Sequence, residues 1–225
     1  VPTLASPSVS LMSAERREVL VRIARQYDLL IIEDDVLGPL PEDRPPPLAA
    51  LAPERTIYLT SFTKCLMPGL RTGYLVAPTP LLPAITGRLV VFSWMATPLV
   101  SEIASRWIDD GTAEELMLWQ RQKIAERHAI VGEELAEFDW AGHPSALHFW
   151  LSLPGQWSAQ SMVEHARAHG VAVAPPQPFM TAQSAPLNAV RIAVGGVPDP
   201  DRFRQGLVLI RELLKRPPEP LPQLL

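Results

Sequence analysis

The chain has 225 residues, 47% hydrophobic and 20% charged, with a formal net charge of −4. That length allows one large domain or two small ones, and the apolar share rules out wholesale disorder. A pI near 5.8 with scattered Lys and Arg excludes a nucleic-acid grip by this segment alone, since phosphate binding needs a concentrated basic face. No run approaches the roughly 20 apolar residues of a membrane span, and no basic segment followed by an apolar one opens the chain, so neither a membrane partner nor a leader is expected. The single cysteine, Cys65, has no internal disulfide partner, which fits a reducing cytoplasm. Proline, at 25 residues, is about twice its usual share and suggests stiff connections.

Val1 to Val9 reads as a Pro- and Ser-rich loop. Ser13 is a good N-cap for a helix whose apolar face is Val19, Leu20, Ile23, Ala24 and Tyr27. Leu29–Ile32 follows at once and reads as a parallel strand buried on both faces. It runs into Glu33-Asp34-Asp35, and carboxylates at the C-terminal end of a parallel strand lie where open α/β sheets bind ligands. Residues 37–53 read as a proline-rich connection. Ile57–Leu59 is a second strand leading into Thr60-Ser61-Phe62-Thr63-Lys64, and Gly69–Ala77 is a third. Helices follow over Leu81–Leu89, Thr97–Asp109 and Ala113–Phe138, the last two broken at Asp110-Gly111.

The pattern then changes. Ala146–Leu153 is a strand, Ser158 opens a helix ending near Gly170, and Val171–Ala174 and Val190–Val194 are strands. Asp199 or Asp201 starts a last helix to about Leu214. The first part is α/β; the second is a small α+β domain. The expected division is 1–125, 126–216 and a Pro-rich tail over 217–225.

The chemistry concentrates near Lys64. A lysine ending a strand in a buried pocket loses its proton more easily, and a neutral amine can form a Schiff base with an aldehyde. Arg71 offers a fork of donors suited to a phosphate, and Ser61 and Thr63 add hydroxyls. Asp34 can hold a proton on a pyridine nitrogen, making that ring an electron sink. Aldehyde, phosphate and pyridine together describe pyridoxal phosphate.

The stretch Ser61-Phe62-Thr63-Lys64 … Pro68-Gly69-Leu70-Arg71-Thr72-Gly73-Tyr74 resembles the lysine signature of fold-type I aminotransferases. Met12-Ser13 … Arg16-Arg17, Ile32-Glu33-Asp34-Asp35 and Asn188-Ala189-Val190-Arg191-Ile192 are most similar to the MocR-type subgroup, in which an aminotransferase-like domain follows a GntR-type winged helix. The resemblance runs from about Leu4 to Leu214. It implies a mostly parallel-sheet cofactor domain followed by a small α+β domain. Lys64 would form the Schiff base, Asp34 would face the pyridine nitrogen, and Ser61 and Arg71 would bind the phosphate. Arg191 would take the carboxylate of an amino-acid substrate or effector. Ser6, in Ser6-Pro7-Ser8, stands where the family usually has Asn, and Val36 and Leu37 stand where it has Tyr. Both missing groups normally bond the ring hydroxyl oxygen, so efficient transamination is put in question.

The resemblance also starts in the middle of the family's cofactor domain and implies a fragment with an uncovered sheet edge, prone to association as a homodimer. Three readings follow: the sensor part of a transcription regulator, binding an amine or amino acid and reaching DNA only through a domain absent from this chain; a stand-alone aminotransferase; or a degenerate domain without cofactor. Cys65 reads as a small buried hydrophobe. His165 and His169 have i,i+4 spacing, but without a third ligand they read as a solvated face, so no metal is expected. The six tryptophans read as core or interface.

Overall fold

The computed structural model describes residues 1–6, 8–181 and 187–218. The chain divides into two compact units, Val1–Ala5 with Ser10–Arg121, and Ser6–Val9 with the residues from Gln122 onward. The division runs through one helix, between residues 121 and 122.

The first unit opens with α1, Ala14–Gln26. Ser13 Oγ accepts the Arg16 N–H at 3.3 Å, so the cap forms as the sequence suggests. The buried side of α1 is not the one expected: Arg17, Val21 and Ala24 face inward, while Val19, Leu20, Ile23 and Tyr27 are exposed. Arg17 decides this rotation. Its guanidinium is fully buried and donates to the carbonyls of Met12, Pro46 and Pro2 and to Thr3 Oγ1 at 3.1–3.4 Å, with Glu33 at 3.7 Å.

Strands β1 (Ile31–Asp34), β2 (Thr56–Ser61) and β3 (Gly73–Val76) form one sheet in that order. β1 and β2 are parallel, with Ile31 against Thr56 and Asp34 against Leu59; β2 and β3 are antiparallel, with Ser61 against Gly73. The α/β class follows the sequence reading. Burial of the first strand on both faces does not: Ile32 is 67% exposed, because β1 is an edge strand of this sheet and α2 (Leu48–Leu51) covers only one of its faces. That short helix was hidden in the proline-rich connection. Its first N–H groups, at Leu48 and Ala49, donate to the Glu33 carboxylate at 2.9 Å each.

Past β2, Ser61 caps α3 (Phe62–Cys65), and Pro68–Leu70 makes a 3-10 turn where the third strand was expected to begin. α4 (Leu82–Ser93) and α5 (Pro98–Asp109) follow. α4 buries none of its residues, and Phe92 beside its end is 83% exposed. Gly111, at φ +87°, ends α5 and lets α6 (Thr112–Glu134) begin.

The second unit holds the antiparallel sheet β4 (Trp140–Ala141), β5 (His148–Ser152) and β6 (Ala189–Ala193). Against it lie α7 (Ala159–Ala168) and α8 (Pro200–Leu214), capped by Ser158 and Asp199. Phe149, Leu151, Met162, Val190, Leu207 and Ile210 fill the core. α8 is clasped to the C-terminal part of α6 by Arg204 and Arg211, which both reach Glu134. Residues 171–173 make no strand. Only Ala174 pairs, in an isolated bridge with Arg191. β4 was not foreseen, being two residues long. His165 is a second difference: its ring is buried edge-on against Trp157 at 5.0 Å rather than solvated. Pro7 and the tail beyond residue 218 lie outside the described residues.

Candidate active site

The register of the first sheet gathers the chemistry. Asp34 ends β1 opposite Leu59, two residues before Ser61 ends β2. Ser61 in turn lies opposite Gly73, two residues after Arg71, and Phe62 N–H reaches Thr72 O at 3.2 Å. Asp34, Ser61, Lys64 and Arg71 are thereby brought to one end of the sheet.

Each is held differently. Asp34 Oδ1 accepts the Val36 N–H at 3.2 Å, while Oδ2 takes no hydrogen bond among the described residues. Ser61 is half-buried and its Oγ accepts the Thr63 N–H at 3.2 Å. Lys64 does not end a strand in a buried pocket. The Ser61 cap turns the chain into α3 first, and Lys64 sits exposed on that helix. Arg71 is exposed and left-handed, at φ 48° and ψ 24°, an unusual region for a residue with a Cβ. Neither Lys64 nor Arg71 makes a side-chain hydrogen bond or ion pair among the described residues. Cys65 next to them is buried, its Sγ 3.2 Å from Ser61 O, and burial pushes its thiol pKa up.

Beneath this rim lies a charged cluster that sequence patterning did not single out. Asp35 is fully buried. Its Oδ2 accepts from Arg44 and from the Tyr58 hydroxyl, the latter at 2.9 Å, and its Oδ1 has no partner. Burial, then the Asp35 charge, raises the Tyr58 pKa. The paired acids at 34–35 were the only signal; Arg44 lies in a connection and nothing in its spacing marks it.

Arg191 belongs to the second unit, as does Ser6, which is exposed. Arg191 sits opposite Trp150 across β5–β6, and its backbone exchanges hydrogen bonds with Ala174 at 2.8 and 2.9 Å. Its guanidinium makes no ion pair among the described residues, its Nε is buried without a partner, and burial lowers its pKa. Cζ stands 5.3 Å from the centre of the Phe179 ring, which meets Trp150 edge-to-face at 5.8 Å. An unpaired, half-buried cation is costly unless an anion joins it. No cluster of three or more His, Cys, Asp or Glu fit for a metal occurs among the described residues.

The family model for aminotransferase class I and II matches residues 1–203. The chain belongs to that family. It is 31% identical over 214 residues to the uncharacterized HTH-type transcriptional regulator YdeF of Bacillus subtilis, covering 95% of this chain and 46% of that protein. Aromatic-amino-acid aminotransferase 1 of Thermococcus litoralis is 27% identical over 223 residues, 96% of this chain and 53% of its own. The crystal structure of the Pyrococcus horikoshii kynurenine aminotransferase, in complex with PMP, superposes with a TM-score of 0.84 at 28% identity, covering 96% of this chain and 55% of that one. The chain spans about half the length of the curated relatives it matches. Aminotransferases and HTH-type transcriptional regulators both occur among its relatives, and the fold is that of the aminotransferases.

The family's cofactor is pyridoxal phosphate, and the residues present fit it. An amine, a hydroxyl, a guanidinium and a carboxylate stand at one sheet end, and neither cation there is ion-paired among the described residues. No helix among the described residues is long and apolar enough to cross a membrane.

Proposed function

We propose that this chain is the pyridoxal-phosphate-binding, effector-sensing part of a transcription regulator. The observation that carries the reading is the unpaired state of Lys64 and Arg71 at the end of a sheet that also holds Asp34 and Ser61. When bound, the cofactor supplies an aldehyde for covalent capture of amines and a ring that accepts electrons.

Lys64 would hold the cofactor through its amine, and its Nζ, once a ligand amine displaces it, would pass a proton to or from that ligand. Arg71 and the Ser61 hydroxyl hold the phosphate. Asp34 Oδ2 keeps a proton on the ring nitrogen, while the Val36 N–H steadies Oδ1. Arg191 receives the ligand's carboxylate, and Ser6 is the candidate contact for the ring oxygen. Val36 and Leu37 offer no hydroxyl there, which favours sensing over turnover. The first unit acts as the C-terminal portion of the cofactor domain and the second as the small domain. In this reading the protein is cytoplasmic and a homodimer, with DNA contacted by another domain.

A second reading is a working aminotransferase, supported by the 27% identity to the Thermococcus litoralis enzyme. One experiment separates the readings. Pyridoxal phosphate is titrated into the chain, the adduct is reduced with borohydride, and the modified residue is mapped by mass. An adduct on Lys64, lost in Lys64→Ala, is expected; an adduct elsewhere, or none, rejects the assignment. Adding amino acids and following release of 2-oxo acid then decides between sensor and enzyme.

A further inference from the structure

We propose that Phe179 is a positioning residue. With Trp150, it brackets the Arg191 guanidinium and keeps it open to a carboxylate ligand. The proposal rests on the reading of Arg191 as the carboxylate receptor.

Residues opposite one another across an antiparallel ladder project to the same face, so Trp150 and Arg191 emerge side by side. Trp150 is buried beside Arg191 in the ladder. Phe179 ends the 3-10 turn Gln177–Phe179 and touches both, its centroid 5.3 Å from Arg191 Cζ and 5.8 Å from the Trp150 ring at 88°. The backbone of Arg191 is fixed on both sides, by Trp150 in the ladder and by Ala174 in the bridge. That leaves only the long side chain to be placed.

The kind of anchor matters. A protein carboxylate would hold Arg191 firmly, but it would consume the N–H donors and cancel the charge that a ligand needs. An aromatic face attracts the cation without taking a hydrogen-bond donor. The buried, unpartnered Nε and the absence of an ion pair among the described residues are what such an anchor leaves behind. Phe179 therefore does the work of an acid without competing with the ligand.

The test reads Arg191 directly and needs no cofactor. The ¹⁵N-labelled chain is titrated with 2-oxopentanoate while arginine Nε–H resonances are followed, that of Arg191 being assigned by its loss in Arg191→Lys. A saturable shift is expected with the acid and none with pentanamide. Phe179→Leu should weaken binding by roughly two- to thirtyfold, the span of a cation–π contact, and Phe179→Trp should restore it. Pentafluorophenylalanine placed at 179 keeps the ring's shape and reverses its electrostatic face, so it should weaken binding similarly without unfolding the chain. Unchanged affinity in the fluorinated protein overturns the role of Phe179 while leaving Arg191 as receptor. No saturable shift in the unaltered chain overturns Arg191 as receptor, and the bracket with it.

Discussion

Ser61 and Gly73 face each other across β2 and β3 so closely that a Cβ at position 73 would lie 3.2 Å from Ser61 Cβ and 3.0 Å from Thr60 O. The second contact is backbone inside the ladder and cannot swing aside. Gly73→Ala should therefore push β3 away from β2 and cost about 1–3 kcal/mol, as overpacking does. A fall in the urea midpoint of that size, with weaker pyridoxal-phosphate binding as Ser61 is displaced, is the expected result. An unchanged midpoint would mean the strands separate freely.

Asp35 is a buried carboxylate of the first unit that two side chains hold. Arg44→Ala leaves it buried with only the Tyr58 hydroxyl, and removing one partner of a buried pair costs about 3–5 kcal/mol. Tyr58→Phe removes a hydrogen bond to a charged group, a loss of about 1.5–3 kcal/mol. Denaturant unfolding should rank the two variants in that order, and the reverse order would show that the Tyr58 hydrogen bond rather than the Arg44 ion pair chiefly holds Asp35.

His128 gives the second unit a pH dependence. Its Nε2–H donates to Ala146 O at 2.8 Å, and its Nδ1 is buried with no partner among the described residues. Trp140 and Phe149 wall the ring at centroid distances of 6.4 and 6.5 Å. Burial holds its pKa below 6.5, helped by His143, whose own pKa burial also lowers. The folded ring stays neutral where the unfolded one takes a proton. Stability is thus full above about pH 6.5 and falls as pH drops below it, by at most about 1.4 kcal/mol per unit for one ring. Urea midpoints at pH 7.5 and 5.5 should differ, and His128→Gln should narrow the gap. A gap of the same size in the variant would assign the effect to other groups.

Much of the candidate site is legible because it is written in one contiguous stretch. Ser61 to Tyr74 carries the amine, a hydroxyl, the guanidinium and the glycine that lets two strands close, and local hydrogen bonds bring them together. Caps at Ser13, Ser158 and Asp199 were legible for the same local reason. What local pattern could not convey was which apolar face finds a partner. Val19, Leu20 and Ile23 repeat at helical spacing yet are exposed, because Arg17, with five acceptors around it, fixes the rotation of α1. The Asp35–Arg44 pair and the Arg191–Phe179 contact join residues 9 and 12 apart through loops, and no periodicity announces them.

The left-handed backbone of Arg71 sets two selections against each other. A side chain held there costs about 1 kcal/mol or more against glycine, which takes the conformation freely. A library of this chain sorted for heat resistance alone should accumulate Arg71→Gly, and the same library sorted for retention on a phosphate-bearing resin should discard it. Position 71 would then be recovered as glycine by one sort and as arginine by the other, from one starting pool, and deep sequencing of the two outputs would read the opposition residue by residue.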